Sequence, residues 1–340
     1  MNAPGFWQAN ANSLLDQAAR FVLSPLAAIY GWAGARRIAK TEPFDPGIPV
    51  ICVGNITLGG TGKTPITQSI LKHLTDMKVT AHTLSRGYGG NEKGPLRVDP
   101  SLHNAKQVGD EPLLLARTAP VWISRDRPAG ANQAANAGAQ VLVMDDGHQN
   151  PTLKKHLSIC VIDGVAGWGA NHVFPAGPLR ETATRGLARA DAVIVIMPDG
   201  KTTPDYEGLG LSDLEIPILH AWLAPTQAPP KEPLVAFAGI GRPAKVFDSL
   251  STAGANVVET RPFPDHHPYT AVELAALHNL ARTHKARLIT TEKDWVRLPV
   301  EMQGEIEIWP IEAEFANPAA LDALLQPLVD IAVDAAAAGG

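Results

Sequence analysis

Gly59-Gly60-Thr61-Gly62-Lys63-Thr64 follows the apolar run Val50–Val53 and precedes a stretch with helical patterning. In that setting the loop N–H groups surround phosphate oxygens, Lys63 reaches the β/γ-phosphates of a nucleotide, and the Thr64 hydroxyl reaches Mg2+. The first glycine of a strict G-x-x-x-x-G-K-[ST] match would stand at Thr57, so the pattern fails at that one position, while the shorter GGxGKT form holds. A glycine turn without a nucleotide is the bland alternative. The preceding strand, the lysine, the hydroxyl and the acids further along argue together against it.

Those acids fall in compact groups. Met144-Asp145-Asp146-Gly147 closes an apolar run with two carboxylates, as Mg2+ beside a triphosphate requires, and Gln149 extends the polar end. Adjacent acids on a strand point to opposite faces unless the backbone turns, so one would hold metal and the other a neighbouring base or hydroxyl. Gly109-Asp110-Glu111-Pro112 is a second group. Either acid there caps a helix in the plain reading. In a kinase, Asp110 would instead orient an acceptor hydroxyl and take its proton, with His266 as a partner across the fold. Three further turns supply cations: Ser85-Arg86-Gly87, Arg125-Asp126-Arg127, and Pro178-Leu179-Arg180-Glu181. A lone arginine is ordinarily a solvated or structural ion-pair residue, whereas several converging on one site match a highly anionic substrate. Asp265-His266-His267 lacks the companion ligands of a zinc site.

These residues need a scaffold that brings distant turns together. VICV at 50–53, TAHTL at 80–84, VLVM at 141–144, ICVI at 159–162 and AVIVI at 192–196 are continuous apolar runs, the mark of parallel strands covered on both faces. Helices fit between them at 64–74 and 129–137. Beyond Pro198 a second α/β set comprises LVAFAGI at 234–240, NVVET at 256–260, a helix over 270–284 and RLITTEKD at 287–294. The expected fold is α/β: a mostly parallel sheet of phosphate-loop kinase type, a smaller C-terminal α/β domain and an N-terminal interfacial helix. Its parts are a membrane-associating helical segment at 1–40, a nucleotide and catalytic domain at 41–200, a connector or substrate-facing insertion at 201–233, the smaller domain at 234–330 and a frayed tail at 331–340.

Composition narrows the partners. The formal charge of -5 leaves no general polycation to grip nucleic acid. Cys52 and Cys160 sit in apolar runs and read as buried free thiols, which makes a reducing cytosolic compartment the default. Phe21–Ala35 is uncharged and is followed by Arg36, Arg37 and Lys40. Fifteen residues are fewer than the ~20 a spanning helix needs, and Pro25 weakens a continuous span further. The preceding residues, with Asp16 among them, lack the compact basic start of a signal peptide. One or two short helices at a membrane interface fit, as does a helix packed on the protein's own core.

The GGxGKT form resembles the deviant phosphate loops of MinD/ParA-like ATPases, but their extra signature lysine would stand where this chain has Leu58. The ordered set GNITLGGTGKTP, SRGYGG, GDEP, DDGHQ, GPLRE, FPDHH and TEKD resembles the tetraacyldisaccharide 4'-kinase (lipid A 4'-kinase) family from about residue 12 to 320. His148 departs from that family's form, which has Phe. The resemblance implies ATP-dependent phosphorylation of the 4'-hydroxyl of tetraacyldisaccharide 1-phosphate at the cytoplasmic face of the bacterial inner membrane, by a peripheral or monotopic protein with no obligate protein partner. It also implies a larger and a smaller α/β unit joined by a flexible strand pair. Carried onto this chain, Lys63 and Thr64 contact nucleotide and Asp110, supported by His266, activates the sugar hydroxyl. Asp145, Asp146 and Glu181 become the acidic metal-side residues, joined by Thr64. Arg86, Arg125, Gln149 and Arg180 are substrate or phosphate contacts. Two other readings remain at this stage: an ATP-driven membrane-associated switch protein, and a kinase of a soluble metabolite.

Overall fold

The computed structural model describes residues 4–338. The five apolar runs become strands as expected, because each of these strands is buried along its whole length and only a sheet covered on both faces can hide it. In chain order the first half holds α1 (Leu14–Lys40), β1 (Val50–Gly54), α2 (Lys63–Asp76), β2 (Ala81–Ser85), β3 (Leu96–Arg97), α3 (Ala105–Val108), α4 (Asp110–Leu115), β4 (Val121–Ile123), α5 (Arg127–Asn136), β5 (Val141–Asp145), β6 (Leu157–Asp163), α6 (Ala183–Leu187) and β7 (Ala192–Met197). The second half holds β8 (Ile218–Pro225), β9 (Leu234–Ala238), α7 (Pro243–Thr252), β10 (Val257–Pro262), α8 (Ala271–His284), β11 (Arg287–Thr291), α9 (Glu292–Trp295), α10 (Val300–Gln303), β12 (Ile306–Trp309), β13 (Ile311–Phe315) and α11 (Pro318–Ala338).

Nine strands form the larger sheet in the order β13-β8-β7-β6-β1-β5-β2-β4-β3. Its interior pairs are parallel, and the two edge pairs, β13 with β8 and β3 with β4, are antiparallel. β1 lies centrally between β6 and β5, so the loop after β1 and the acids after β5 emerge side by side at the strands' C-terminal ends. That crevice is where open α/β sheets bind ligands. The smaller sheet, β10-β9-β11-β12, is parallel throughout.

Three expected boundaries differ. The 201–233 stretch is not wholly a connector, since β8 extends the larger sheet beside β7. Nor does the smaller unit run to 330. The chain leaves it at β13, pairs back along β8, and α11 then buries Leu321, Leu325, Leu328 and Val329 in the core that holds Ile66 and Ile70 of α2. The tail expected at 331–340 continues α11 to Ala338, with Ala332 buried; residues 339 and 340 lie outside the described residues, as do 1–3 of the N-terminal segment. Alternation in β8 and β13 is partial, and α11 is alanine-rich, so neither carried a strong periodic signal.

The N-terminal segment is a single 27-residue helix, where one or two short ones were expected. Ser13 and Asp16 close a capping box at its start. Pro25 removes the N–H that would bond Phe21 O, and the Ser24 hydroxyl donates to that carbonyl instead, at 2.8 Å. At 3.6 residues per turn, Leu14, Phe21, Val22, Leu26, Ile29 and Trp32 share one exposed face, while Ala27, Gly31 and Ala35 lie on the face toward the protein. Arg36 lies over the Trp32 ring at 5.4 Å. Among the described residues no helix is long and apolar enough to cross a membrane.

Candidate active site

The loop between β1 and α2 is shaped by backbone demands that only glycine meets. Gly62 has φ +84°, and a Cβ there would stand 2.5 Å from Ile196 Cδ1. Asn55, fully buried, donates from Nδ2 to Thr57 O at 2.9 Å and to Thr61 Oγ1 at 3.1 Å, tying the two sides of the loop. Thr57, where the strict pattern has glycine, forms an antiparallel bridge with Leu179, and the Leu58 N–H donates to Pro178 O at 2.7 Å. The loop is therefore laced to the 178–180 segment, a use for which an extended threonine suits. Lys63 and Thr64 open α2, whose first-turn N–H groups face the same crevice.

The two acids after β5 do converge. Asp146 has φ +52°, and this turn brings it back toward α2. Asp145 accepts from the Thr67 hydroxyl at 3.4 Å, and Asp146 lies 3.6 Å from Lys63 Nζ. Arg180 grips Asp146 with both terminal nitrogens at 3.0 and 3.1 Å. Burial, with Glu111 and Asp146 nearby, pushes the Asp145 carboxyl up to about 7 against the pull of Lys63 and Arg127. Burial works the same way on Asp146, but Lys63 and Arg180 outweigh it and hold that carboxyl below its usual range. Desolvation thus outweighs the cations at Asp145, whereas the cations outweigh it at Asp146.

Among the described residues no three acids, histidines or cysteines form a metal cage. Mg2+ beside phosphates needs none, since one or two carboxylates and a hydroxyl suffice when phosphate oxygens and water complete the shell. Thr64, Asp145 and Asp146 fit that donor set. Glu181, expected among the metal-side acids, is engaged otherwise: Arg189 donates to it at 2.6 Å and Gln149 Nε2 at 3.0 Å. Gln149 also donates to Asn55 O at 2.8 Å, so it joins Glu181 to the phosphate loop. Of the remaining arginines, Arg86 and Arg125 lie exposed just past β2 and β4. Arg127 is the buried one; desolvation lowers it to about 10, and Asp145 and Asp146 oppose that shift. Cys52 and Cys160 are free and buried.

The second acidic group forms a centre of its own. Gly109, at φ +91°, lets the chain pass against Tyr88 O and sets Asp110 at the start of α4. Asp110 is buried, and its Oδ2 takes His266 Nδ1 at 3.0 Å and Arg297 Nε at 2.9 Å, with Lys293 at 4.0 Å. Burial opposes ionisation, yet the His266 hydrogen bond and the Lys293 and Arg297 charges prevail and hold the carboxyl well below the usual range. Asp110 belongs to the larger unit, and all three partners belong to the smaller one. Sequence reasoning paired Asp110 with His266 but missed Arg297 and Lys293. Their signal was the TEKD segment, which ends β11 and starts α9 instead of continuing as one strand.

Residues 19–330 match the model of the tetraacyldisaccharide-1-P 4'-kinase family. The chain belongs to this family. The tetraacyldisaccharide 4'-kinase of Maricaulis maris is 55% identical over 341 residues, covering 100% of both chains, and that of Hyphomonas neptunium is 52% identical, covering 96% of this chain and 98% of its relative. The fold is similar to the ATP complex of the "apo" form of LpxK from Aquifex aeolicus, with TM-score 0.71 and 24% identity over 91% of this chain and 99% of that one. Family membership sets aside the MinD/ParA-like switch and the soluble-metabolite kinase. Within this 4'-kinase the departure at His148 has a structural partner on each side. Its Nε2 donates to Gly186 O at 2.9 Å and its Nδ1 lies 3.2 Å from Ser158 Oγ, a hydroxyl that can donate to the neutral ring. Burial pushes it down to about 4.

Proposed function

We propose that Asp110 is the proton acceptor in ATP-dependent phosphorylation of the 4'-hydroxyl of tetraacyldisaccharide 1-phosphate, the reaction of this kinase in lipid A biosynthesis. The observation that carries the reading is the division of labour within one carboxylate. Oδ2 is taken by His266 and Arg297, whereas Oδ1 accepts only the Glu111 N–H, at 3.0 Å, among the described residues. Oδ1 therefore keeps an acceptor position for a sugar hydroxyl.

In the reaction the 4'-oxygen attacks the γ-phosphorus, the bond from that phosphorus to the bridging oxygen of ADP breaks, and the hydroxyl proton passes to Asp110 Oδ1. A carboxylate so strongly stabilised is a weak base. It suffices because phosphoryl transfer runs through a loose transition state in which orientation counts for more than early deprotonation. Lys63 moves from Asp146 to the phosphates as the nucleotide enters, and the loop N–H groups bind the oxygens. Arg180 holds Asp146, and Gln149 and Glu181 keep the 178–181 segment against the loop. Mg2+, held by Thr64, Asp145 and Asp146, would supply positive charge to the triphosphate. His266 orients the Asp110 carboxylate from the smaller unit.

The lipid substrate assigns a place to α1. Its exposed apolar face and the flanking Arg36, Arg37 and Lys40 suit a helix lying in the headgroup region of the inner membrane's cytoplasmic leaflet, which makes the protein peripheral or monotopic. The charge on Asp110 is tested by Asp110→Asn, an isostere. Lipid phosphorylation should fall at least about 100-fold while nucleotide affinity holds. Near-normal transfer by the variant would rule out the assigned role.

A further inference from the structure

We propose that Arg297 is a positioning residue for the acceptor carboxylate: anchored on buried Asp294 of the smaller unit, its guanidinium locks Asp110 Oδ2 and leaves Oδ1 to the sugar hydroxyl. This rests on the reading of Asp110 as proton acceptor and adds what fixes that residue in place.

The geometry is a chain with one rigid end. Asp294 is fully buried, and its Oδ1 accepts from the Gly239 N–H at 2.9 Å and the Tyr269 hydroxyl at 2.8 Å, while Oδ2 accepts from the Thr291 hydroxyl at 2.6 Å. Arg297 Nη1 donates to Asp294 Oδ1 at 2.9 Å and to Gly239 O at 2.7 Å. Its remaining donors, Nε and Nη2, both go to Asp110 Oδ2. The planar fork thus spans two buried carboxylates, one in each unit, with its side chain only 5% exposed. A surface ion pair would carry little weight. Here, removal of the cation leaves buried Asp294 without a cationic partner and Asp110 with only His266 and the more distant Lys293, and a lysine cannot reproduce the fork. Lys293 is no substitute, because it lies nearer to Glu111, at 3.2 Å, than to Asp110. Asp110 is consequently held in this orientation only while the two units stand together as they do here.

The test uses the full chain with Arg297→Met, Arg297→Lys, Asp294→Asn and, as reference, Asp110→Asn. Lipid phosphorylation in mixed micelles gives kcat and KM, a separate titration gives nucleotide affinity, and a melt checks folding. Arg297→Met should lower kcat about 100-fold with nucleotide affinity unchanged, since misplacement of a catalytic group costs that much. Arg297→Lys should recover part of the loss. Asp294→Asn should lower kcat by itself but change the Arg297→Met enzyme by less than about threefold, because the two act along one chain.

The pH profile separates positioning from mere scaffolding. The charged groups facing Asp110 are His266, Lys293 and Arg297 from the smaller unit and Glu111 on its own helix. Loss of Arg297 raises the carboxyl's affinity for its proton, so the acid limb of kcat should move to higher pH in Arg297→Met. Wild-type kcat and acid limb in Arg297→Met, with Asp110→Asn inactive, would overturn the role of Arg297 and leave Asp110 in place. An active Asp110→Asn enzyme would overturn the underlying reading as well. If Arg297→Met does not fold, Arg297→Lys and Asp294→Asn decide: normal kcat in both overturns the proposal.

Discussion

Phe21 and Ile29 stand 80% and 62% exposed on the outward face of α1. Burying such a side chain in an apolar phase is worth about 1.5–3 kcal/mol, and the exposed fraction leaves about 1–2 kcal/mol of that for each to gain at a membrane. Replacing both with Ser should therefore weaken binding to vesicles by about 2–4 kcal/mol, or about one and a half to three decades in partition coefficient. Neither side chain fills the core, so the melting behaviour and nucleotide affinity of the double variant should stay near those of the parent. Co-sedimentation with vesicles containing acidic phospholipid, at graded lipid concentration, measures the shift. Substituting Arg36 and Arg37 separately should lower the salt sensitivity of what binding remains. A double variant partitioning within about threefold of the parent would refute the reasoning, because the transfer of this face out of water would then contribute nothing.

Two further outcomes follow from the site. Gly62→Ala should weaken nucleotide binding about 5- to 30-fold: the left-handed φ costs about 1–2 kcal/mol, whereas the end of the Ile196 side chain can give way to the new Cβ, and titration with nucleotide reads the shift. His148, neutral when buried and pushed from 6.5 down to about 4, contributes stability that is present above pH 6.5 and lost as the pH falls toward 4, by up to about 3 kcal/mol. In His148→Phe that dependence should flatten, read by urea unfolding at pH 7 and pH 5; equal slopes in both proteins would show that the imidazole is not the group responsible.

The phosphate loop, Asp145-Asp146 and the Asp110–His266 pair were legible because each lies at a strand end or turn where a polar residue interrupts an apolar run. Local pattern marks such interruptions. It does not show which acid keeps its charge: Asp145 and Asp146 are adjacent and identical in type, and only burial on one side and Lys63 with Arg180 on the other drive them apart. Glu181 shows the same limit, since its partner Arg189 lies eight residues away and beyond any motif. Arg127 and Arg125 could not be ranked until the fold buried one and exposed the other.

By itself the sequence determined the α/β class, the nucleotide loop, the family and the unspanning N-terminal segment, which rest on short-range periodicity and on motifs each made of residues close together in the chain. Tertiary structure decided how the units close on each other. β13 returns to β8, α11 packs back onto α2, and Arg297 crosses 187 positions to meet Asp110. Such contacts join residues whose separation in the chain carries no period. Their energies come from desolvation and charge pairing, which exist only once the two surfaces have met.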